Sequence, residues 1–417
     1  MSKNTLAVIV PIYNVEPYIE QCLTSLVNQT MQDIEIICVD DCGTDNSMRI
    51  AEKFAKQDKR ITIIHNEQNS GLSESRNNGV RATKAKYVMF CDSDDWFAND
   101  MCQKMYNAIT EQDADLAICG TEVIYEADHN KKASDDVYFA VKHSGTYAKD
   151  MNIMRRYAVC AWNKIYKRDI LVKNNVWFPR GLKYEDEFMF RAYMTQINKI
   201  AFVPEKLYKY RRRAGSIMNT TFTQKQKLNL DYLKIAFAYY EFLLEHNLPD
   251  VDTDAFWGYT FVNMMNASLN QNAPENWDKI YDIANDFIRQ HYGNATVSFD
   301  IMCAMDNIIA RRRPVVKYLG GLVRIKNKRL KTEYCFAGIP VWRVVRTPRK
   351  NKYCLFGIQI ASVGKKCKIA VPQCRHLVET DDTQILGGVI RIKESENKKT
   401  VLFCGLPIWK QNFAEHK

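Results

Sequence analysis

Residues 87–100 read YVMFCDSDDWFAND. Five apolar residues, Tyr87 to Cys91, run directly into Asp92, Asp94 and Asp95. The apolar run has the length of a buried strand and is too short for a helix that stands alone. Acids crowded at its exit add nothing to folding, because neighbouring like charges repel. A divalent cation held by carboxylate oxygens, with phosphates at its other positions, relieves that repulsion. Asp-x-Asp after a buried strand therefore reads as a metal–diphosphate site. Taken alone, the pattern serves equally well as an acidic turn with a helix N-cap, so the rest of the chain decides.

Upstream, strand and helix alternate. Leu6–Ile12, Ile34–Val39 and Ile61–His65 are strand-like apolar runs, and Tyr87–Cys91 is a fourth. Between them, helical spacing covers Glu16–Gln29, the stretch around Met48–Phe54, and Gly71–Arg81. Asp45 or Ser47 is expected to cap the second of these helices. This pattern predicts an α/β fold, a doubly wound, Rossmann-like unit with a largely parallel sheet. Ligands of such sheets sit beyond the carboxyl ends of the strands. Tyr13, Asp41 and Asp94 each lie just past a strand end and would line one crevice. Further on, acids return at Tyr184–Glu187 (YEDE) ahead of an apolar-periodic helix, Phe188–Met194, and YKYRRR (208–213) precedes Gly215-Ser216. Residues 222–310 read as helices whose Met and aromatic stripes belong to a core.

The last hundred residues differ in character. Residues 311–417 hold 24 Lys/Arg against 7 Asp/Glu, a surplus of 17, which leaves −6 for residues 1–310 of a chain whose net charge is +11. A basic tail on an acidic body is suited to a polyanion, either an anionic membrane surface or nucleic acid. No nucleic-acid motif accompanies the charge, so no nucleic-acid partner is expected. Three segments, YCFAGIPVW (334–342), YCLFGIQIA (353–361) and VLFCGLPIW (401–409), share one shape around a single glycine and read as small strand-turn-strand units. They would face a membrane, pair between chains as a homo-oligomer, or pack on the body of the protein. The 13 cysteines lack CxxC spacing, and several stand in apolar runs, as reduced core thiols do. With no signal-peptide pattern and no run long enough to span a bilayer, the expected location is the cytoplasm, peripheral at the inner face of the cytoplasmic membrane.

With these stretches in view, the first ~215 residues resemble the family 2 glycosyltransferases, inverting nucleotide-sugar-dependent enzymes of the GT-A fold. The resemblance rests on VIVPIYN (8–14), VDDCGTDNS (39–47), NSGLSESRNNG (69–79), MFCDSDDWF (89–97), AWNKIYKRDIL (161–171), YEDEFMFR (184–191) and YRRRAGSIM (210–218), in that order. It is closest in kind to bacterial enzymes that build capsule, exopolysaccharide or lipopolysaccharide. The resemblance implies a GT-A domain over 1–218, and the residue pattern beyond it reads as a helical domain over 219–310 and a basic repeat region over 311–417. The resemblance also implies a nucleotide-sugar donor, more readily a UDP-sugar, a glycan or lipid-linked glycan acceptor, and Mn²⁺ or Mg²⁺ as cofactor.

Carried over residue by residue, the resemblance makes Pro11 and Tyr13 a wall for the base, with the ring as a stacking face. Asp41 would accept from a base N–H, and Arg76 would meet base or diphosphate through its planar fork of donors. Asp92, Ser93 and Asp94 would bind the donor, with Asp94 and Asp92 holding the metal. Arg211 and Arg213 would close over the diphosphate from a flexible loop before Gly215, and Asp186 would be the general base. Where the family has Gly-Ser after the double Asp, this chain has Cys42-Gly43, which leaves the shape of that turn in doubt. Two other functions go with an α/β nucleotide-binding core. A sugar-nucleotide pyrophosphorylase would need a Gly-rich N-terminal loop, and Val8–Asn14 contains no glycine. A non-catalytic carbohydrate- or nucleotide-binding module would have little reason to keep Asp41, Asp92, Asp94 and Asp186.

Overall fold

A computed structural model describes residues 5–126, 139–148, 157–213, 228–248 and 256–291, together with ten strands between 315 and 412. Contacts divide the chain into two compact units, one of residues 1–225 with 234–242, the other of 226–233 with 243–417.

In the first unit the expected alternation is present. Strands β1 (Leu6–Ile12), β2 (Ile34–Asp40), β3 (Ile61–His65) and β4 (Tyr87–Phe90) are joined by helices α1 (Glu16–Val27), α2 (Ser47–Gln57) and α3 (Gly71–Ala82). The four strands are parallel, in the order β3-β2-β1-β4. Every residue of β1 and β4 is buried, as expected for strands covered on both faces. Helix α3 lies so close to β1 that a Cβ on Gly79 would fall 2.3 Å from a methyl of Ile9, so only glycine fits there.

Beyond β4 the sheet becomes mixed. β5 (Trp96–Phe97) and α4 (Met101–Thr110) lead to β6 (Leu116–Tyr125), β7 (Gly145–Ala148) and β8 (Lys164–Lys167). Then come α5 (Arg168–Lys173), α6 (Glu185–Thr195) and the long strand β9 (Lys199–Arg212). The path continues β4-β8-β6-β9-β5, with β8 antiparallel to both neighbours and β6 parallel to β9. The "largely parallel" expectation thus holds for the first four strands only. The β6–β9 register slips on both sides of Gly120, where a Cβ would lie 2.7 Å from the Pro204 carbonyl oxygen.

Two helix starts depart from expectation. Asn46, without a side-chain cap, precedes α2. Asp45 and Ser47 instead accept from the first N–H groups of the neighbouring helix, Glu16 N to Asp45 Oδ2 at 2.8 Å and Val15 N to Ser47 Oγ at 2.9 Å. Glu16 replies by accepting from Asn46 N and Nδ2 at 3.0 and 2.8 Å. Both helices begin at the same end of the sheet, so each loop satisfies the orphan donors of the other. Asp45 also takes the Ser47 hydroxyl and N–H; these bonds hold its carboxyl below the usual range although burial pushes the other way. Helix α6 begins at Glu185, three residues earlier than the apolar periodicity suggests. Its first turn is Glu185-Asp186-Glu187, where the helix dipole favours acids.

The helices described in the second half are α7 (Asp231–Glu245), α8 (Val262–Gln271) after a π-helical turn at Phe256–Phe261, and α9 (Trp277–His291). Residues 222–227, 249–255 and 292–310 of the expected helical stretch lie outside the described residues, as do residues 311–313. Strands β10 (Val315–Tyr318), β11 (Val323–Lys328), β12 (Lys331–Phe336), β13 (Ile339–Arg346), β14 (Lys350–Leu355) and β15 (Ile358–Gly364) form one antiparallel sheet. β16 (Thr383–Ile385), β17 (Ile390–Ser395), β18 (Lys398–Phe403) and β19 (Leu406–Asn412) form another. The three glycine-centred segments correspond to the hairpins β12–β13, β14–β15 and β18–β19. Gly338, Gly357 and Gly405 themselves lie outside the described residues.

All three hairpins shift register at the same place, after Tyr334, Tyr353 and Val401. The repeat is also longer than its glycine core. KYLGGLVRIK (317–326) and QILGGVIRIK (384–393) open the two sheets alike, and Tyr334↔Trp342 in one matches Val401↔Trp409 in the other. Register sorts the residues by face, since alternate positions share a side. Lys326, Glu333 and Arg343 occupy one row of neighbours, and Ile325, Tyr334 and Trp342 the next. The tryptophans therefore stand at positions opposite the central basic ones rather than beside them.

Candidate active site

The carboxyl ends of β1, β2 and β4, helix α3, the start of α6 and the end of β9 supply the residues named from sequence. Pro11 is buried within β1, while Tyr13, just past its end, is 48% exposed. It is one of only three large apolar or aromatic residues so exposed among those described, so its ring is available as a stacking face. Asn14 next to it adopts φ +50°, and its Oδ1 accepts from Thr44 N at 2.8 Å. This contact settles the turn that departs from the family pattern. Cys42 takes φ +60°, and a Cβ on Gly43 would come within 3.0 Å of Asn14, so the glycine stands where the β1 and β2 loops touch.

Asp41 is buried and already heavily used. Its Oδ1 accepts from Asn66 Nδ2 (2.8 Å) and Ser70 N (2.7 Å), and its Oδ2 from Gly71 N (2.9 Å). It thereby caps α3, and one Oδ2 lone pair is left for a ligand N–H.

The acids after β4 differ sharply in their partners. Asp92 Oδ1 accepts from Arg76 Nη2 at 2.6 Å, and Asp94 Oδ2 from Arg213 Nε at 2.8 Å. Asp95 is buried, accepts from Tyr208 Oη and Arg211 N at 2.7 Å each, and its own N–H bonds the Asp92 carbonyl at 3.0 Å to close the turn. Ser93 is buried within that turn. Burial pushes the Asp94 carboxyl up, the nearby Asp92 charge adds to this, and Arg213 opposes it. Asp95 is pushed well above the carboxylate range by burial and by Asp94 and Asp92. Asp95 thus serves the turn, whereas Asp92 and Asp94 each keep one oxygen without a partner among the described residues.

Those two free oxygens suit a hard divalent cation, which would also relieve the repulsion that raises Asp94. Among the described residues no group of three or more His, Cys, Asp or Glu side chains is placed to hold a metal. A cation here would have two carboxylate ligands at most and would depend on oxygens brought by a ligand.

Arg76 on α3 is 2% exposed. Besides Asp92 it reaches Glu185 Oε1 through Nη1 at 2.5 Å, its guanidinium lies 5.2 Å from the Phe178 ring centroid, and its buried Nε has no partner. Burial disfavours its charge, but Asp92 and Glu185 more than compensate and its pKa rises. Beside it, Asn77 grips the Phe178 backbone both ways, N to Oδ1 at 3.0 Å and Nδ2 to O at 2.9 Å.

Asp186 follows Glu185 and is half-buried in the first turn of α6. Its Oδ1 accepts from Glu187 N at 3.0 Å. Glu185 is tied to Arg76, and Glu187 to Arg191 at 2.7 Å one turn on, whereas Asp186 has no cation bonded to it. Burial, with Glu185 and Glu187 adding to it, pushes its carboxyl up to about 8; Arg76 and Lys164 pull the other way. The preceding Tyr184 sits at φ +64°, a left-handed conformation uncommon for a bulky side chain.

Arg211 corrects an expectation. It lies in β9, not in a loop, and its guanidinium is engaged by the Asp94 carbonyl (2.9 Å) and Gln21 Oε1 (2.5 Å). The Tyr18 and Trp96 rings lie 5.0 and 4.7 Å away. Its position braces the acidic turn. Arg213 follows the strand end, on Asp94 and 4.8 Å from the Tyr18 ring centroid. The loop expected before Gly215 falls in 214–227, outside the described residues.

Sequence reasoning missed three supports. Tyr208 donates to Asp95 and accepts from Asp92 N at 3.2 Å, and Trp162 stacks on its ring at 4.2 Å. Lys164, fully buried, donates to Ala158 O, Cys160 O and Asn163 Oδ1 at 2.5–2.7 Å and fixes the 158–163 turn; burial lowers its pKa. Glu185 is the third, signalled only by being the first acid of the YEDE run.

Comparison with known proteins shows the family. Residues 7–173 match the model of glycosyl transferase family 2. Glycosyltransferase GlyG of Streptococcus pneumoniae serotype 4 is 34% identical over 230 residues, 52% of this chain and 74% of that protein. The putative glycosyltransferase EpsH of Bacillus subtilis is 37% identical over 224 residues, 52% of this chain and 64% of that one. Among solved structures, residues 1–349 of S. aureus TarS in complex with UDP-GlcNAc align with 80% of this chain and 97% of that one, at 20% identity and a TM-score of 0.49.

Proposed function

The chain belongs to glycosyl transferase family 2, and we propose that it is an inverting enzyme which moves a sugar from a UDP-sugar to a hydroxyl of a surface-glycan acceptor. Asp186 is the general base. The observation that carries this reading is the contrast between the acids. Asp92 and Asp94 are held by arginines at the donor end of the sheet, while Asp186 stands without a bonded cation at the start of α6.

In this reading the uracil lies against Tyr13 with Pro11 beneath the loop, and the remaining lone pair of Asp41 accepts from the base N–H. Asp92 and Asp94 would hold Mn²⁺ or Mg²⁺, which when bound supplies positive charge opposite the departing diphosphate. Arg213 sits on Asp94, so it adds a second positive group beside the same phosphates; Arg76 holds Asp92 in place, and Arg211 braces the turn. Asp186 takes the proton of the acceptor hydroxyl as that oxygen attacks the anomeric carbon. The nucleoside diphosphate leaves from the opposite face in a single displacement. A base with a pKa near 8 binds that proton strongly, provided the pH is high enough to leave it ionised.

Residues 1–218 carry this chemistry. Residues 219–310 form a helical accessory region, and the basic 311–417 region brings the enzyme to an anionic membrane surface where a lipid-linked acceptor resides. No described helix is long and apolar enough to cross a membrane, so such an association would be peripheral. The test is a screen of nucleotide sugars for Mn²⁺-dependent release of free nucleoside diphosphate. Release from a UDP-sugar that rises with an added glycan acceptor supports the reading; release from none of them overturns it.

A further inference from the structure

Four facts meet at one buried guanidinium. Arg76 spans from Asp92, at the exit of β4, to Glu185, the first residue of α6, with bonds of 2.6 and 2.5 Å. Both ends of the bridge are single-oxygen contacts, and among the described residues the Nε between them has no hydrogen-bond partner, the Phe178 ring being the further contact of the guanidinium. Tyr184, immediately before Glu185, is held at φ +64°. Asp186, immediately after it, has no bonded cation of its own.

A residue in left-handed backbone needs its surroundings to hold it there. One contact that grips the chain next to Tyr184 is the Glu185–Arg76 pair, beside the bond from Glu187 N to the Tyr184 carbonyl at 3.1 Å. A buried charge pair of this kind is strongly destabilising to break from one side, which makes it a firm tether. We propose that Glu185 is a positioning residue: through Arg76 it ties the turn that presents Asp186 to Asp92, so that occupation of the donor acids is transmitted to the base.

This rests on the assignment of Asp186 as base and of Asp92 to the donor side. A ligand that draws on Asp92 changes how fully Arg76 is neutralised, and Glu185 is the other anion it can turn to. The titratable and charged groups facing Asp186 include Glu185 and Glu187 on its own helix, Arg76 from α3, Lys164 and Tyr166 from β8, and Cys160 from the turn before β8. Of these, Glu185 alone is both adjacent to the base and bonded to the donor side. Lys164 is committed to three backbone and side-chain oxygens of its own loop.

The test uses the full chain with the UDP-sugar found in the screen, and two variants. Glu185→Gln keeps the size and an oxygen acceptor for Arg76 Nη1 but removes the charge. Arg76→Lys keeps the charge but cannot span both acids. Expected for Glu185→Gln is a fall in kcat of at least ~10-fold, a donor KM within about 3-fold of wild type, and an acid limb of the kcat–pH profile displaced to lower pH. Arg76→Lys should lower kcat as far, and combining the two should cost little more than either alone. Unchanged kcat in Glu185→Gln, an unmoved acid limb, or full additivity of the two variants would each overturn the proposal. A rise in donor KM that accounts for the whole loss would make Glu185 a donor-site residue and overturn it too. A wild-type chain inert towards every nucleotide sugar would instead overturn the function on which the proposal rests.

Discussion

The acids after β4 and the acids that open α6 are both trios within four positions, yet the fold treats them differently. At β4, Asp92 and Asp94 each receive an arginine from a distant element, and Asp95 receives a tyrosine hydroxyl and a backbone N–H. At α6, the two outer acids are paired and the middle one is left with the helix start alone. Neutralised acids with a spare oxygen are suited to binding charged ligands. An acid with its proton affinity raised by burial and by like charges on either side is suited to moving a proton. The partners, more than the residue type, divide the labour.

Four experiments break or sharpen that contrast. The largest effect is expected for Asp94→Asn, which removes the carboxylate whose spare oxygen is proposed to serve the donor. Calorimetry with UDP and Mn²⁺ should show affinity falling beyond the ~10–100-fold typical of outer-shell changes, with the fold intact by circular dichroism. Unchanged affinity would erase the distinction from the donor side.

Next is pH. With the Asp186 carboxyl near 8, kcat/KM should rise with pH and level off above that value. At pH 6 it should stand about 10²-fold below its plateau, since two pH units under a pKa leave ~1% of a carboxyl ionised. A plateau reaching down to pH 5 would mean that the α6 trio is neutralised as fully as the β4 trio.

Stability should follow the same group with a defined sign. Its carboxyl binds a proton more tightly in the fold than at its ordinary 3.8. The stabilisation is therefore complete below about pH 4 and is lost as pH rises to about 8. Thermal unfolding of the wild type should drop by a few °C more across that window than unfolding of Asp186→Asn. Parallel curves would contradict the raised affinity.

The smallest effect belongs to Glu187→Gln. It removes one like charge beside Asp186 and an i,i+4 pair with Arg191 worth about 0.3–0.5 kcal/mol. The acid limb of kcat/KM should move down by less than about one pH unit, with donor binding unaffected. A larger loss of donor affinity would place Glu187 on the donor side.

Much of the first unit was legible in the sequence because its strands are buried on both faces, which leaves unbroken apolar runs such as LAVIVPI and YVMF. Tertiary pairing was not legible. Nothing in local spacing says that Asp45 serves α1 as well as α2, or that Arg211 belongs to a strand and spends its guanidinium on the Asp94 carbonyl, Gln21 and two rings. Glu185 escaped notice for the same reason, since its partner lies 109 residues away. In the repeats, glycine cores were visible, but the sorting of Trp342 and Arg343 onto opposite faces needed the register.

The division of labour is tested most directly by measuring UDP–Mn²⁺ affinity and turnover on one preparation of Asp186→Asn. The account predicts turnover reduced by at least ~10²-fold, the range of a lost general base, with affinity close to wild type. Collapsed affinity together with unimpaired turnover per bound donor would contradict it and return Asp186 to the donor side.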